Sequence, residues 1–229
     1  MSIRGFTHGA DASVLPGVNV CLYGEITVAA EPSDPVMCNL SATDGSFGVF
    51  GARARTDVML TFKKDGFAPT LRAITTRTDD ITLPASENAL LPDPLVFMAK
   101  TADPRKGQIA FVTTTAGAGP APEVSVTAAG FFVPSGAAGL PDPPVYFDRS
   151  GVPAAEAGVG TRGGFVNVTP DLYLLQFHPV SGTCSVSSGL YGYTATTGTT
   201  DPTLPAAVFV PVIQGYVTAP IGVSCTSGP

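Results

Sequence analysis

The side chains of this chain that could do chemistry are few: four cysteines, two histidines and six tyrosines among 229 residues. Cys21 and Cys38 lie in the first half, Cys184 and Cys225 in the second. None of the four is in C-x-x-C spacing, and with only His8 and His178 to complete a ligand set, the pattern is not that of a zinc site. Four cysteines allow three connectivities, and buried free thiols are the alternative to all of them. Pairing Cys21 with Cys38 and Cys184 with Cys225 is favoured because each bridge then stays inside one half. Simple alternation puts Cys21 on the strand face opposite Val18, Val20 and Leu22, whereas Cys38 shares the face of Leu40, so a bulge or a bridge at a sheet edge has to reconcile the pair. Disulfides persist in oxidising compartments, which makes an extracellular or cell-surface protein the expectation. Met1-Ser2-Ile3-Arg4 is followed by no apolar signal-peptide core, so the leader is expected to be absent from this sequence.

The remaining candidates are weaker. His8 sits in a loop before Gly9-Ala10-Asp11, and His178 precedes Pro179 at a strand end; no arrangement of nucleophile and base can be read around either. Tyr146, Tyr173, Tyr191, Tyr193 and Tyr216 have no pair of histidines near them. Tyr191 and Tyr193, at i and i+2, would put two phenols on one face of a strand, where rings can stack on a sugar. Packing across strands is the commoner use of such a pair. Asp142, Asp148 and Glu156, and the dipeptide Asp79-Asp80, offer hard oxygens without EF-hand spacing and read as solvated turn carboxylates. Lys63, Lys64, Lys100 and Lys106 fall at strand ends or in linkers, where side chains are solvated. No enzyme, cofactor or metal is therefore expected. A net charge of -6 with 13% charged residues argues against nucleic acid and anionic membranes, which need clustered Lys and Arg. No apolar run approaches the length of a transmembrane helix.

The elements that must hold these residues are strands. Gly (26) and Pro (22) are scattered among Val, Ile, Phe and Thr without a collagen period, which predicts many short strands joined by turns. Val36 to Phe67 is the clearest stretch. Asp44-Gly45 between alternating runs predicts a hairpin closed by a two-residue type I′ loop, with Ala42 facing Phe47, Leu40 facing Val49 and Cys38 facing Gly51. Further strands are expected at Ser2 to Thr7, around Val18, Val20 and Leu22, at Asp57 to Lys63, at Phe67 to Thr75, at Ile81 to Leu83 and at Leu95 to Met98. Ala85 to Leu91 is the one place for a helical turn. From Lys106 the pattern restarts. Ile3 and Ile109, Pro16 and Pro122, Val18 and Val124, and Val20 and Val126 are each 106 positions apart; Thr43-Asp44-Gly45-Ser46-Phe47 is echoed 118 positions on by Thr161-Arg162-Gly163-Gly164-Phe165. Met59-Leu60-Thr61-Phe62 is echoed by Leu174-Leu175-Gln176-Phe177. Self-similarity at this length predicts two copies of one fold, 1–100 and 101–229, with a longer insert (Gly130 to Gly160) in the second and a boundary near Pro92 to Lys106.

The order G-V-N-V-C-L-Y, then C-N-L-S-A-T-D-G-S-F, then V-M-L-T-F-K-K-D-G-F resembles the carboxypeptidase regulatory-like domain, a seven-stranded sandwich of the transthyretin (prealbumin-like) type. Asp44-Gly45 with Phe47, and Gly66-Phe67, match its turn and strand motifs, with Arg55-Thr56 where the corner usually has Pro-Gly. Gly164-Phe165 and Val168-Thr169-Pro170-Asp171-Leu172-Tyr173 match in the second half. The resemblance implies an all-β fold of two tandem prealbumin-like (Greek-key, Ig-like) β-sandwiches, as in bacterial surface lipoproteins and secreted proteins. It also implies a noncatalytic structural or adhesive surface module whose partner is a protein, another copy included. A glycan-binding accessory module for polysaccharide, through Tyr191 and Tyr193, is the alternative.

Overall fold

The computed structural model describes residues 1–9, 12–28, 30–83, 101–115, 123–130, 143–147, 160–186, 206–218 and 223–226. Sixteen strands and no helix occur among them. The first half holds β1 (Ser2–Phe6), β2 (Asn19–Tyr23), β3 (Met37–Leu40), β4 (Ser46–Phe50), β5 (Asp57–Lys63), β6 (Thr70–Thr75) and β7 (Ile81–Thr82). The second holds β8 (Gly107–Thr115), β9 (Val124–Gly130), β10 (Val145–Phe147), β11 (Arg162–Val168), β12 (Asp171–Pro179), β13 (Thr183–Val186), β14 (Ala206–Val212), β15 (Val217–Thr218) and β16 (Val223–Thr226). The fold is all-β and sandwich-like. Leu95 to Met98 and Ala85 to Leu91 lie outside the described residues.

Strand periodicity explains the layers. In the first half β4-β1-β7 forms one sheet, and β6-β5-β2-β3 runs in the other. Between them pack Ile3, Val18, Val20, Leu22, Phe47, Val49, Val58, Leu60, Phe62 and Ile74, the residues that alternate onto the inner face. Phe47 and Phe62 meet edge to face, with centroids 5.6 Å apart. The opposite face of β2 and β5 is buried as well: Cys21, Tyr23, Met59 and Leu71 pack with Ile213 and Tyr216 from the second half. Five consecutive residues of β5 are consequently buried. Each large apolar side chain so covered contributes about 1.5–3 kcal/mol.

The second half repeats the two-layer arrangement. The sheet β14-β12-β9 covers β8, β11 and β16, and between them lie Phe111, Val126, Tyr146, Phe165, Tyr173, Leu175, Phe177, Val208 and Val223 among others. β15 then pairs in parallel with β6 on one side and β8 on the other. One continuous sheet results, ordered β10-β11-β8-β15-β6-β5-β2-β3, which spans both halves.

The expected hairpin is corrected. β3 pairs with β2, setting Cys38 opposite Cys21, and β4 pairs with β1, setting Ile3 opposite Val49 and Gly5 opposite Phe47. The chain therefore crosses from one sheet to the other at residues 41–45 instead of folding back on itself. The turn is also longer than a type I′ loop. Gly45 N–H donates to Ala42 O and Ala42 N–H to Ser46 O, so three residues, Thr43, Asp44 and Gly45, form the loop. Only Gly45, at φ 77°, needs the left-handed region. A turn followed by a left-handed glycine is the usual three-residue solution. Asp44 Oδ1 accepts from both the backbone and the hydroxyl of Ser46, bonds that hold its carboxyl below the ordinary range.

Candidate functional site

The most organised polar constellation lies where the halves meet, and β15 positions it. Val217 stands beside Thr70 on one side and Gln108 on the other. Val217 N–H donates to Pro69 O (2.8 Å), Gln108 N–H to Tyr216 O (2.9 Å) and Gly215 N–H to Lys106 O (3.0 Å). Gly215, at φ 76°, turns the chain into this slot. The turn carries the Tyr216 ring onto the face of β2 and β5, where Thr61 and Lys63 alternate with the inward Leu60 and Phe62.

There Glu31, from the β2–β3 loop, collects three donors. Its Oε1 accepts from the hydroxyls of Tyr23 (2.6 Å) and Thr61 (3.2 Å), and its Oε2 from Lys63 Nζ (2.5 Å). Lys63 Nζ also stands 5.5 Å from the centroid of the Tyr216 ring. The Tyr216 hydroxyl is buried beside the carboxylate without the full geometry of a hydrogen bond. Burial pushes the Glu31 carboxyl up, but bonding to Lys63, the neighbouring tyrosine hydroxyls and the Lys63 charge outweigh it and hold the group below its ordinary range. Burial, then the Glu31 bond and charge, push the Tyr23 phenol up to about 12, and the same causes raise Tyr216. The cluster is a clamp that holds the Lys63 and Glu31 charges together beside Tyr23 and Tyr216.

A second cluster fastens the start of the second half. Asn167, at φ 61° beside an irregularity in the β11–β8 pairing, accepts from Asp103 N–H (2.6 Å) and donates twice, from Nδ2 to Thr101 O (3.0 Å) and from its backbone N–H to Gln108 Oε1 (2.9 Å). Lys106 Nζ donates to Thr169 Oγ1 (3.1 Å).

At the far edge of the first half, β3 does two things. Its disulfide joins Cys38 to Cys21 on the adjacent strand. Its side chains also cap the outward backbone of β4: Asn39 Nδ2 donates to Gly48 O (3.1 Å), and Phe50 N–H donates to Met37 Sδ (3.2 Å). Ala42 N–H takes Ser46 O in the same row. Gly48 O, Phe50 N–H and Ala42 N–H are thus satisfied within the chain instead of being left open at a strand edge.

Of the residues expected to matter, the structure brings together Cys21 with Cys38 and Cys184 with Cys225, each pair directly opposed on neighbouring antiparallel strands. Cys21 does face away from Val20 and Leu22, and no bulge is needed, because β3 lies beside β2 at the sheet edge with Cys38 on the same face. Tyr191 and Tyr193 lie outside the described residues, as do Asp142, Asp148 and Glu156. His8 packs edge to face on Phe6, and His178 Nε2 lies 3.4 Å from Thr127 Oγ1, so the two serve different sheets. No group of three or more His, Cys, Asp or Glu side chains that could hold a metal occurs among the described residues. A 540 Å³ groove lined by Asn19, Lys63, Lys64, Asp65 and Phe67 is open to solvent, and Lys64 is tied there to Pro16 O (2.7 Å). Glu31 and Asn167 carried no signal in the sequence, and Tyr216 stood there only as one of several tyrosines without histidines nearby. The one available signal was the alternation of Thr61 and Lys63 opposite the apolar face of β5.

No protein-family model and no curated protein matches the chain. Among solved structures it is similar to the Bacillus anthracis TIE protein, at 8% identity and TM-score 0.28, covering 99% of this chain and 34% of that one. It is similar also to a Streptococcal ancillary pilin, at 12% identity and TM-score 0.27, covering 98% and 62%. The shaft pilin SpaA from Lactobacillus rhamnosus GG gives 7% identity and TM-score 0.29, covering 100% and 98%. The chain thus spans about a third of the first protein and less than two thirds of the second. These likenesses are too weak to assign any residue a role.

Proposed function

We propose that this chain is a noncatalytic, extracellular structural or adhesive surface module built of two tandem prealbumin-like units, 1–100 and 101–229. The observation that carries it is one covalent strap per half, each joining directly opposed residues of two neighbouring strands. Such bonds form and persist chiefly where the surroundings are oxidising. The duplication is supported by matching strand relations. β1 lies antiparallel to β4 and parallel to β7, as β8 lies antiparallel to β11 and parallel to β16. Val20 faces Phe62 across β2 and β5, as Val126 faces Phe177 across β9 and β12. Tyr216 packs from the second unit onto Lys63 and the outer face of the first, a fixed junction that suits a part that bears load or spaces other parts.

Self-association with further copies is the partner expected of such a module, because 13% charged residues leave little repulsion between them. Size-exclusion chromatography with light scattering over a range of concentrations tests it. Mass rising with concentration is the expected result. A monomer at every concentration would discard self-association and leave a passive spacer.

A further inference from the structure

We propose that the Cys21–Cys38 bond is a thiol-exchange site, attacked by small thiols at Cys38, and that its opening releases strand β3 while the Cys184–Cys225 bond stays closed. Exposure separates the two bonds. Cys38 is solvent-exposed on a strand of which three of four residues are exposed. Cys225 is fully buried, and Cys184 packs against the same core. Exchange needs a thiolate to reach a sulfur along the S–S axis, so access decides which bond reacts.

The chemistry is a two-electron exchange with an external dithiol as reductant. Its thiolate attacks Cys38 Sγ, forming a mixed disulfide and expelling Cys21 as a thiolate that takes up a proton. The second thiol of the reagent then attacks its own sulfur in the mixed disulfide. Cys38 leaves as a thiol, and the reagent leaves as a cyclic disulfide. The protein gains two electrons and two protons, which the dithiol loses.

The consequence follows from the topology. Among the described residues β3 has one sheet neighbour, β2, through a four-residue ladder flanked by Val36 N–H to Leu22 O and Ser41 N–H to Val18 O; Met37 packs on the first-half core, and Asn39 and Met37 cap β4. Three of the four β3 residues are exposed, so without the covalent strap water competes for the bonds of 38–40 and only Met37 keeps a core contact. Departure of β3 bares the outer edge of β2 and the Gly48 O and Phe50 N–H of β4 together. The bond is therefore a catch on two adjacent strand edges.

The test uses the intact chain with dithiothreitol under native conditions, quenched at intervals with an alkylating reagent and mapped by mass spectrometry. Cys21 and Cys38 should be labelled at least about tenfold faster than Cys184 and Cys225. Hydrogen exchange on the selectively reduced protein should show loss of protection at 19–22 and 37–40, with β5 and β6 still protected. Equal labelling rates, or Cys184 and Cys225 reacting first, would overturn the exchange site. Retained protection of 37–40 after reduction would overturn the release of β3.

Discussion

Gly45 and Glu31 carry the tightest local constraints. At φ 77° a β-branched residue is strained, and a Cβ at Gly45 would lie 2.8 Å from Thr7 O and 3.0 Å from Val14 Cγ1. Gly45→Val should cost at least about 1–3 kcal/mol in denaturant unfolding. Ser46→Val removes one exposed hydroxyl bond to Asp44 and should stay within about 1 kcal/mol. Glu31 sets a pH dependence. Its folded carboxyl titrates below its ordinary value of 4.5, so the unfolded chain binds the proton first as pH falls. Its contribution is complete above that value, declines below it and is gone once pH passes the folded value. Glu31→Gln should flatten the fall in melting temperature across that acid window, and an unchanged slope would mean the clamp contributes nothing. The cysteine pairing was legible at this scale because a bridge within each half is the shortest closure. The turn type was not. Asp44-Gly45 suits a two-residue and a three-residue loop equally, and only the backbone of Asp44 distinguishes them.

At the scale of elements, alternation told the faces of β2 and β5 correctly, but the partners of β3 and its face incorrectly: Cys38, Leu40 and Ala42, expected beside Phe47 and Val49, are exposed. Val20, Leu22, Leu60 and Phe62 point into one core as their spacing required. The same alternation could not say that β3 would join β2 and β4 join β1, because both arrangements bury Phe47 and Val49. β15 was out of reach for another reason: with two residues it has no period to detect. Its weight is nevertheless large, since Val217 N–H holds Pro69 O and brings Ile213 and Tyr216 onto the outer face of β2 and β5. Val217→Pro deletes that donor. It should cost more than the about 1 kcal/mol of a single hydrogen bond, because the apolar cover is lifted as well. Hydrogen exchange should then quicken at Thr70 and Leu71 and leave β9, β12 and β14 unchanged. Quickening everywhere would mean that the second half depends on the junction for its own core.

For the whole molecule, the proposed duplication rests on equal spacings between apolar residues, whereas the sheet shared by the halves was not legible, since it is made by a segment near residue 217 reaching back to residue 70. A fragment of residues 1–100 should fold by circular dichroism, because the Ile3–Phe62 core is its own. It should melt below the full chain, having lost Ile213 and Tyr216 from its outer face. An unfolded fragment would mean the halves share one core. The central claim is that this is an outward-facing structural part held by oxidised straps. It is tested most directly by treating intact native cells with a protease while blocking free thiols, then sequencing the released peptides by mass spectrometry. The account predicts peptides of this chain released without lysis, with Cys21 linked to Cys38 and Cys184 to Cys225. Release only after lysis, with all four cysteines alkylated, would contradict it.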